Sequence, residues 1–155
     1  EGAKALANGE VTRAHYARYL VQIGKVSNDG QAFKRYLGGG KSCFVKAEWV
    51  DIPTAIDTIH AAGGVAVIAH PMRYNMTGKW IRRLIVDFKQ WGGDGMEVSD
   101  SGQTKDQRQY LARLANEYDL AASLGSDFHF PCGWIELGKN LFLPEEVKPI
   151  WTLFE

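Results

Sequence analysis

Asp127 and His129 stand two residues apart in Gly125-Ser126-Asp127-Phe128-His129, directly after the apolar run Leu120-Ala121-Ala122-Ser123-Leu124. The run reads as a short buried strand. An aspartate and a histidine just past its end can turn into one pocket, offering a hard oxygen and an imidazole nitrogen to a divalent ion. A second run, Gly63-Gly64-Val65-Ala66-Val67-Ile68-Ala69, ends in His70-Pro71, and Pro71 lacks the N–H that a continuing strand would need. Two strands of one parallel sheet would bring His70, Asp127 and His129 to the same edge, which is read here as a metal site. Each residue alone has a plainer reading: Asp127 as a turn cap, His70 as a loop residue before proline. Their joint position at strand ends is what points to a metal. Mixed His/Asp donors suit Mn2+, Fe2+ or Zn2+, with Mg2+ at oxygen-rich positions, and such a centre polarises a phosphoryl oxygen and activates water. Three protein ligands are too few for a closed multi-metal centre, so further donors are expected from outside this chain.

Arg13 and His15 fall in the first turn of a helix opened by Thr12. Helix N-termini attract anions, so these side chains are candidates for a substrate phosphate, with solvated surface charge as the alternative. Arg73, just past His70-Pro71, is a third candidate for phosphate. Glu97 and Asp100 also follow a strand, and are read as acceptors for backbone amides rather than as metal ligands. His60 lies on the amino-terminal side of its strand, away from this edge.

The elements that would position these groups follow from periodicity. Tyr16, Tyr19, Leu20 and Ile23 recur at helical spacing and stop at Gly24; Phe33, Tyr36 and Leu37 mark a second helix from Asn28 to Gly38-Gly39-Gly40. The Ala-rich first ten residues could extend a helix. Near Val50 the texture changes. Asp51-Ile52-Pro53 resembles a capped helix start with Ile56 and Ile59 inside, followed by a strand over 65–69. An amphipathic helix marked by Trp80, Leu84, Phe88 and Trp91 precedes a strand over 94–98. Thr104-Lys105-Asp106-Gln107 resembles a capping box opening a helix with Leu111 and Leu114 inside, before the strand over 120–124. Helices alternating with strands across short Gly-rich links predict a parallel α/β fold, whose working groups gather at the strand carboxyl ends. The division expected is a helical unit over 1–49 and an α/β unit over 50–155.

The 155 residues amount to about one domain, with 45% hydrophobic and 23% charged residues, as in ordinary globular proteins. Lys plus Arg and Asp plus Glu are 18 each, so no global basic field recruits nucleic acid or an anionic membrane, and anion binding must be local. No apolar run approaches a membrane span and no signal-peptide pattern is seen; a cytoplasmic protein is expected. Cys43 and Cys132 lack metal or redox spacing and are read as free thiols under reducing conditions, a disulfide remaining open. The start at Glu1-Gly2-Ala3 without Met is read as the sign of a fragment.

Ala69-His70-Pro71 and Gly125-Ser126-Asp127-Phe128-His129 resemble the third and fourth motifs of the PHP (polymerase and histidinol phosphatase) superfamily. The resemblance is to the stand-alone bacterial phosphoesterases of the RNase AM group, nucleoside 3′,5′-bisphosphate phosphatases and 5′→3′ exoribonucleases. Arg13-Ala14-His15 is similar to the start of that group's helical insertion, and Ala32-Phe33-Lys34-Arg35-Tyr36-Leu37 to the segment that follows. The resemblance implies a distorted (β/α)₇ PHP barrel of which this chain is the C-terminal part, with a small helical insertion subdomain. It implies metal ligation by His70, Asp127 and His129, Mn2+ as the leading ion, and phosphate contacts from Arg13 and His15. The family's His-x-His motif and its second motif with His and Glu are missing, so a missing N-terminal part of the same protein is an expected partner. The chain alone is expected to be inactive, and its exposed sheet edge could support a homodimer.

The expectation is a metal-dependent phosphoesterase acting on a nucleotide or short RNA. The alternatives are a non-catalytic PHP-like module binding nucleotide or protein, and a histidinol-phosphatase-type enzyme.

Overall fold

A computed structural model of the chain describes every residue except Phe130, Cys132, Trp134 and Glu155. Cys43 is a free, exposed cysteine, while the reading of Cys132 lies outside the described residues. The chain divides into two units, Glu1–Trp49 and Val50–Glu155.

The first unit is helical. A single 3₁₀ turn, Lys4–Leu6, takes the place of the longer helix that the alanines could support. Helix α1 spans Arg13–Gln22 after an extended Thr12. Helix α2, Asp29–Ala32, is capped by Asn28, whose Oδ1 accepts from Gln31 N–H at 3.0 Å. It widens into a π-helical turn over Phe33–Leu37, closed by Gly38 N–H donating to the Phe33 carbonyl at 2.8 Å. Ala17, Val26, Ala32 and Leu37 form its core, with Leu20, Val21, Phe33 and Tyr36 against them. The apolar stripe expected on α1 is corrected here: Ala17 is the buried residue, whereas Tyr16 and Ile23 are exposed. Aromatic rings dominate a periodicity count even where the close packing point needs a methyl.

The second unit carries the sheet. Helix α3, Ile52–Ala61, begins where expected, with Asp51 Oδ1 accepting from Thr54 N–H at 2.9 Å and Pro53 in the first turn. Of its two expected inner residues, Ile56 is buried and Ile59 is exposed. Strand β1 is only Val67–Ile68, shorter than the 65–69 expected. Upstream, the Ala66 carbonyl still accepts from Asp94 and Gly95 N–H, each at 3.1 Å, while Ala66 N–H turns to the Asp94 side chain, whose Oδ2 accepts it at 2.7 Å; downstream, the chain turns at His70. Helix α4 (Gly78–Gln90), strand β2 (Gly95–Asp100), helix α5 (Lys105–Glu117) and strand β3 (Ala121–Gly125) follow. The capping box is present: Thr104 Oγ1 accepts from Gln107 N–H, and Gln107 Oε1 from Thr104 N–H.

The strands form one parallel sheet in the order β1-β2-β3. All of β2 is buried, as a central strand covered on both faces must be. Ile56, Ile81, Ile85, Phe88, Met96, Val98, Leu111 and Leu114 belong to the core between helices and sheet. Helix α4 therefore packs through Ile81, Ile85 and Phe88, while Trp80 and Trp91, read above as part of its stripe, are 63% and 40% exposed. The outer side of β3 is lined by the segment near Pro149, where Ala122 N–H donates to the Lys148 carbonyl at 2.7 Å. Among the described residues no helix is long and apolar enough to cross a membrane.

Candidate functional site

The carboxyl ends of the three strands present their polar residues together because of one irregularity. Register runs Glu97 opposite Ser123 but Ser99 opposite Leu124, so Val98 is an extra residue in β2. Side chains three apart in a regular strand face opposite sides of the sheet. The bulge re-phases that alternation, and both Glu97 and Asp100 reach back to the segment His70–Arg73 after β1. Glu97 Oε2 accepts from His70 N–H at 2.5 Å, and Asp100 pairs with Arg73.

At this rim two residues adopt the left-handed region that L side chains avoid: His70 at φ 33° and Asp127 at φ 54°. Such geometry costs on the order of 1 kcal/mol each and gathers at functional sites. The left-handed turn at His70 sends Pro71–Arg73 into a 3₁₀ turn, held by Arg73 N–H donating to the His70 carbonyl at 2.9 Å. Tyr74 folds back, its hydroxyl donating to the Ala69 carbonyl at 2.7 Å and its ring edge-on to His70, centroids 5.7 Å apart. Gly125 completes the floor: a Cβ there would stand 2.6 Å from Glu97 Oε1, so the carboxylate lies where only glycine leaves room.

Arg73 is the hub of the charges. Its Nε and Nη2 each donate to Asp100 at 3.1 Å, one to each carboxylate oxygen, and its Nη1 donates to Asp127 Oδ2. Asp100 is 2% exposed and also accepts from Gly102 N–H at 2.7 Å. Burial pushes its carboxyl up, but the Arg73 fork and the Gly102 amide outweigh burial and hold it below the usual range. The hydrogen bond to Asp100 keeps Arg73 firmly protonated. Glu97, 8% exposed, moves the other way, as burial raises its pKa against the lowering effect of the His70 amide.

Of the residues read from sequence, His70, Arg73 and Asp127 are brought together here. His129 Nδ1 lies 2.8 Å from the Asp127 carbonyl oxygen, an acceptor to which it can donate. Glu97 and Asp100 bind backbone amides as expected; that Asp100 also anchors Arg73 was not legible, because the bulge that re-aims it has no mark in the sequence. His60 is on the opposite side of the sheet ends, its Nε2 2.7 Å from Asp94 Oδ2. Arg13 and His15 belong to the helical unit. His15 Nδ1 accepts from Thr12 N–H at 3.0 Å and lies 2.9 Å from the Thr12 hydroxyl, so Nε2–H is the donor it can offer outward.

Does this rim suit a metal ion? Its donors are of the right kind, and Nδ1 of His70 is buried with no hydrogen-bond partner. Yet among the described residues no three His, Cys, Asp or Glu side chains converge closely enough to hold an ion by themselves. The donor set fits in chemistry and falls short in number.

Parallel strands with polar carboxyl ends define a class seen in solved structures. An amidohydrolase from Chromobacterium violaceum, with bound sulfate and no metal, superposes with a TM-score of 0.83 at 39% identity, covering 99% of this chain and 54% of that one. A protein described as a metal-dependent phosphoesterase from Bifidobacterium adolescentis gives 0.72 at 27% identity over 94% and 52%. Among curated proteins, the chain is 80% identical over 154 residues to a 5′-3′ exoribonuclease of Haemophilus influenzae, covering 99% of this chain and 56% of that protein. It is 51% identical to the 5′-3′ exoribonuclease Rnm of Escherichia coli, over 100% and 53%. Identity is 41% to a 3′,5′-nucleoside bisphosphate phosphatase of Chromobacterium violaceum, over 94% and 51%. The chain thus spans about half the length of the curated relatives it matches. No protein-family model matches it.

Proposed function

We propose that the protein carrying this chain is a metal-dependent phosphoesterase that releases phosphate from nucleotides or short RNA, of nucleoside 3′,5′-bisphosphatase and 5′→3′ exoribonuclease type. The reading rests on the rim at the strand carboxyl ends, where Arg73, three residues after His70, donates to both Asp100 and Asp127. The relatives named above support the choice of substrate. In this reading residues 50–155 form the C-terminal part of a distorted (β/α)₇ PHP barrel, and residues 1–49 a helical insertion. Donors from the remaining part of the same cytoplasmic protein complete the site, and the chain alone is inactive.

His70, Asp127 and His129 hold the ion, Mn2+ first among Zn2+, Fe2+ and Mg2+. A divalent ion there supplies a Lewis acid for the phosphoryl oxygen and lowers the pKa of water. The chain's own residues orient the substrate: Arg73, its Nε and Nη2 held by Asp100, offers a remaining N–H to a phosphate oxygen, and Arg13 and the Nε2–H of His15 are further phosphate donors.

The test is phosphate release by the whole protein, with Mn2+ and after chelation, from a nucleoside 3′,5′-bisphosphate and from histidinol phosphate. Release from the bisphosphate that needs the ion and falls at least about a hundredfold in Asp127→Ala, the size expected when a metal ligand or its support is removed, supports the proposal. Activity indifferent to chelation and to that substitution, or preference for histidinol phosphate, overturns it.

A further inference from the structure

Charge is divided unevenly between the two units. Residues 1–49 carry eight Lys and Arg against four Asp and Glu, whereas residues 50–155 carry ten against fourteen. The neutral total conceals a basic unit and an acidic one. Among the described residues every ion pair lies in the acidic unit, and none of the eight cations of the helical unit is in one. Three of them are gathered by the backbone. The π-helical turn Phe33–Leu37 carries Lys34 and Arg35; after it, Lys41 N–H donates to the Gly38 carbonyl at 3.1 Å and Cys43 N–H to the Tyr36 carbonyl at 3.0 Å. These bonds fold residues 38–43 back on the turn. Lys41 thereby joins Lys34 and Arg35 around a cleft of about 680 Å³ that Gln31 and Tyr36 also line. Gly38 permits the reversal, since a Cβ there would stand 2.7 Å from the Phe33 carbonyl oxygen. All three cations are exposed, and no carboxylate lines the cleft. Like charges set side by side repel, and here no counter-charge relieves them. The π-turn that presents two of them is a rare departure from the α-helix, frequent at functional sites.

Cations grouped with an aromatic ring are the lining that single-stranded nucleic acid uses, phosphates on the cations and a base against the ring. A protein partner would call for an apolar centre, which this cleft lacks. We infer that the helical unit binds single-stranded RNA, with Lys34, Arg35 and Lys41 holding a backbone phosphate other than the one hydrolysed. The inference rests on the phosphoesterase reading and adds to it a division of labour. Arg13 and His15 serve the substrate phosphate, and the cleft serves the rest of the strand. A nucleoside bisphosphate ends where a strand would continue, so the cleft favours short RNA over a single nucleotide.

The test is the affinity of the whole protein for a labelled single-stranded RNA hexamer, read by fluorescence anisotropy at several salt concentrations, with EDTA present to keep the RNA intact. Wild type is compared with Lys34→Gln/Lys41→Gln and with Lys79→Gln/Lys105→Gln, which removes two exposed cations from the other unit. For single strands, log K falls with log salt at a slope of about −0.7 per phosphate neutralised. Lys34→Gln/Lys41→Gln is therefore expected to bind more weakly, with a slope shallower by about 1.4, while the control variant keeps the wild-type slope. In the same proteins kcat/KM for RNA, relative to that for a nucleoside 3′,5′-bisphosphate, falls only in Lys34→Gln/Lys41→Gln. Three outcomes overturn the inference while bisphosphate hydrolysis, and with it the phosphoesterase reading, stands: equal slopes in all three proteins, an equal loss in both variants, or a hexaglutamate peptide that competes as well as unlabelled RNA. Failure of the wild type to hydrolyse the bisphosphate removes the phosphoesterase reading instead, and the slopes still decide the cleft.

Discussion

Gly125 is held to glycine by a neighbour rather than by its own backbone. Glu97 lies across it, tied at its other oxygen to His70 N–H at 2.5 Å, and a Cβ at 125 would meet Glu97 Oε1 at 2.6 Å. Gly125→Ala must push the carboxylate off that amide, leaving a buried donor bare, and is expected to lower stability by about 1–3 kcal/mol. Urea unfolding checks it: a midpoint equal to wild type would mean that Glu97 is not pinned there. The same residues show what sequence could and could not convey. That His70, Asp127 and His129 follow apolar runs, where the chain leaves the sheet, could be read from the sequence. Arg73 was visible beside His70, though not its attachment. Asp100 acquires its role from a one-residue bulge at Val98, and a bulge is chosen by packing on both faces of a buried strand, which a linear pattern does not record.

At the scale of elements, caps were more legible than faces. Asp51, Asn28 and Thr104 each accept the amide their helix start requires, because capping is local chemistry of three or four residues. Thr104→Ala is expected to cost about 1 kcal/mol in chemical denaturation. Hydrogen bonding to Thr54 lowers the pKa of Asp51. Its folded value lies below its unfolded one, so its contribution is present at neutral pH and is lost as pH falls through that lowered value. Asp51→Asn should flatten that part of the acid-stability curve; an unchanged slope would exclude the cap as its source. Faces depend instead on what lies opposite. The tryptophans drew the α4 stripe toward 80 and 91, whereas the sheet takes Ile81, Ile85 and Phe88. Ile85→Ala, at a fully buried position, should cost about 2–5 kcal/mol, and Trp80→Ala within about 0.5 kcal/mol. Reversal of that order would return the core to the tryptophan face.

For the whole molecule, the alternation of helix and strand was enough to foresee a parallel sheet with its polar groups at one end, since short crossovers allow little else. What extends it was not legible. Of its two edges, β3 is lined by the segment near Pro149, and β1 remains. In the proposed whole protein an added strand would cover β1. Hydrogen exchange should then find β1 amides that do not bond β2 protected in the longer protein and open in the 155-residue chain; equal protection in both would place the added part elsewhere. The two-residue length of β1 has one more effect. Asp94 grips Ala66 N–H and His60 together, each at 2.7 Å, at the end of the sheet away from Arg73. So brief a ladder has little of its own to resist slipping by one place, and a slip would turn every following side chain over. Asp94 thus works as the clasp of a hem: a mutation there, remote from every charged group at the other end, would leave the protein folded yet misalign His70 with Glu97, and a survey of inactive but well-expressed variants should find it.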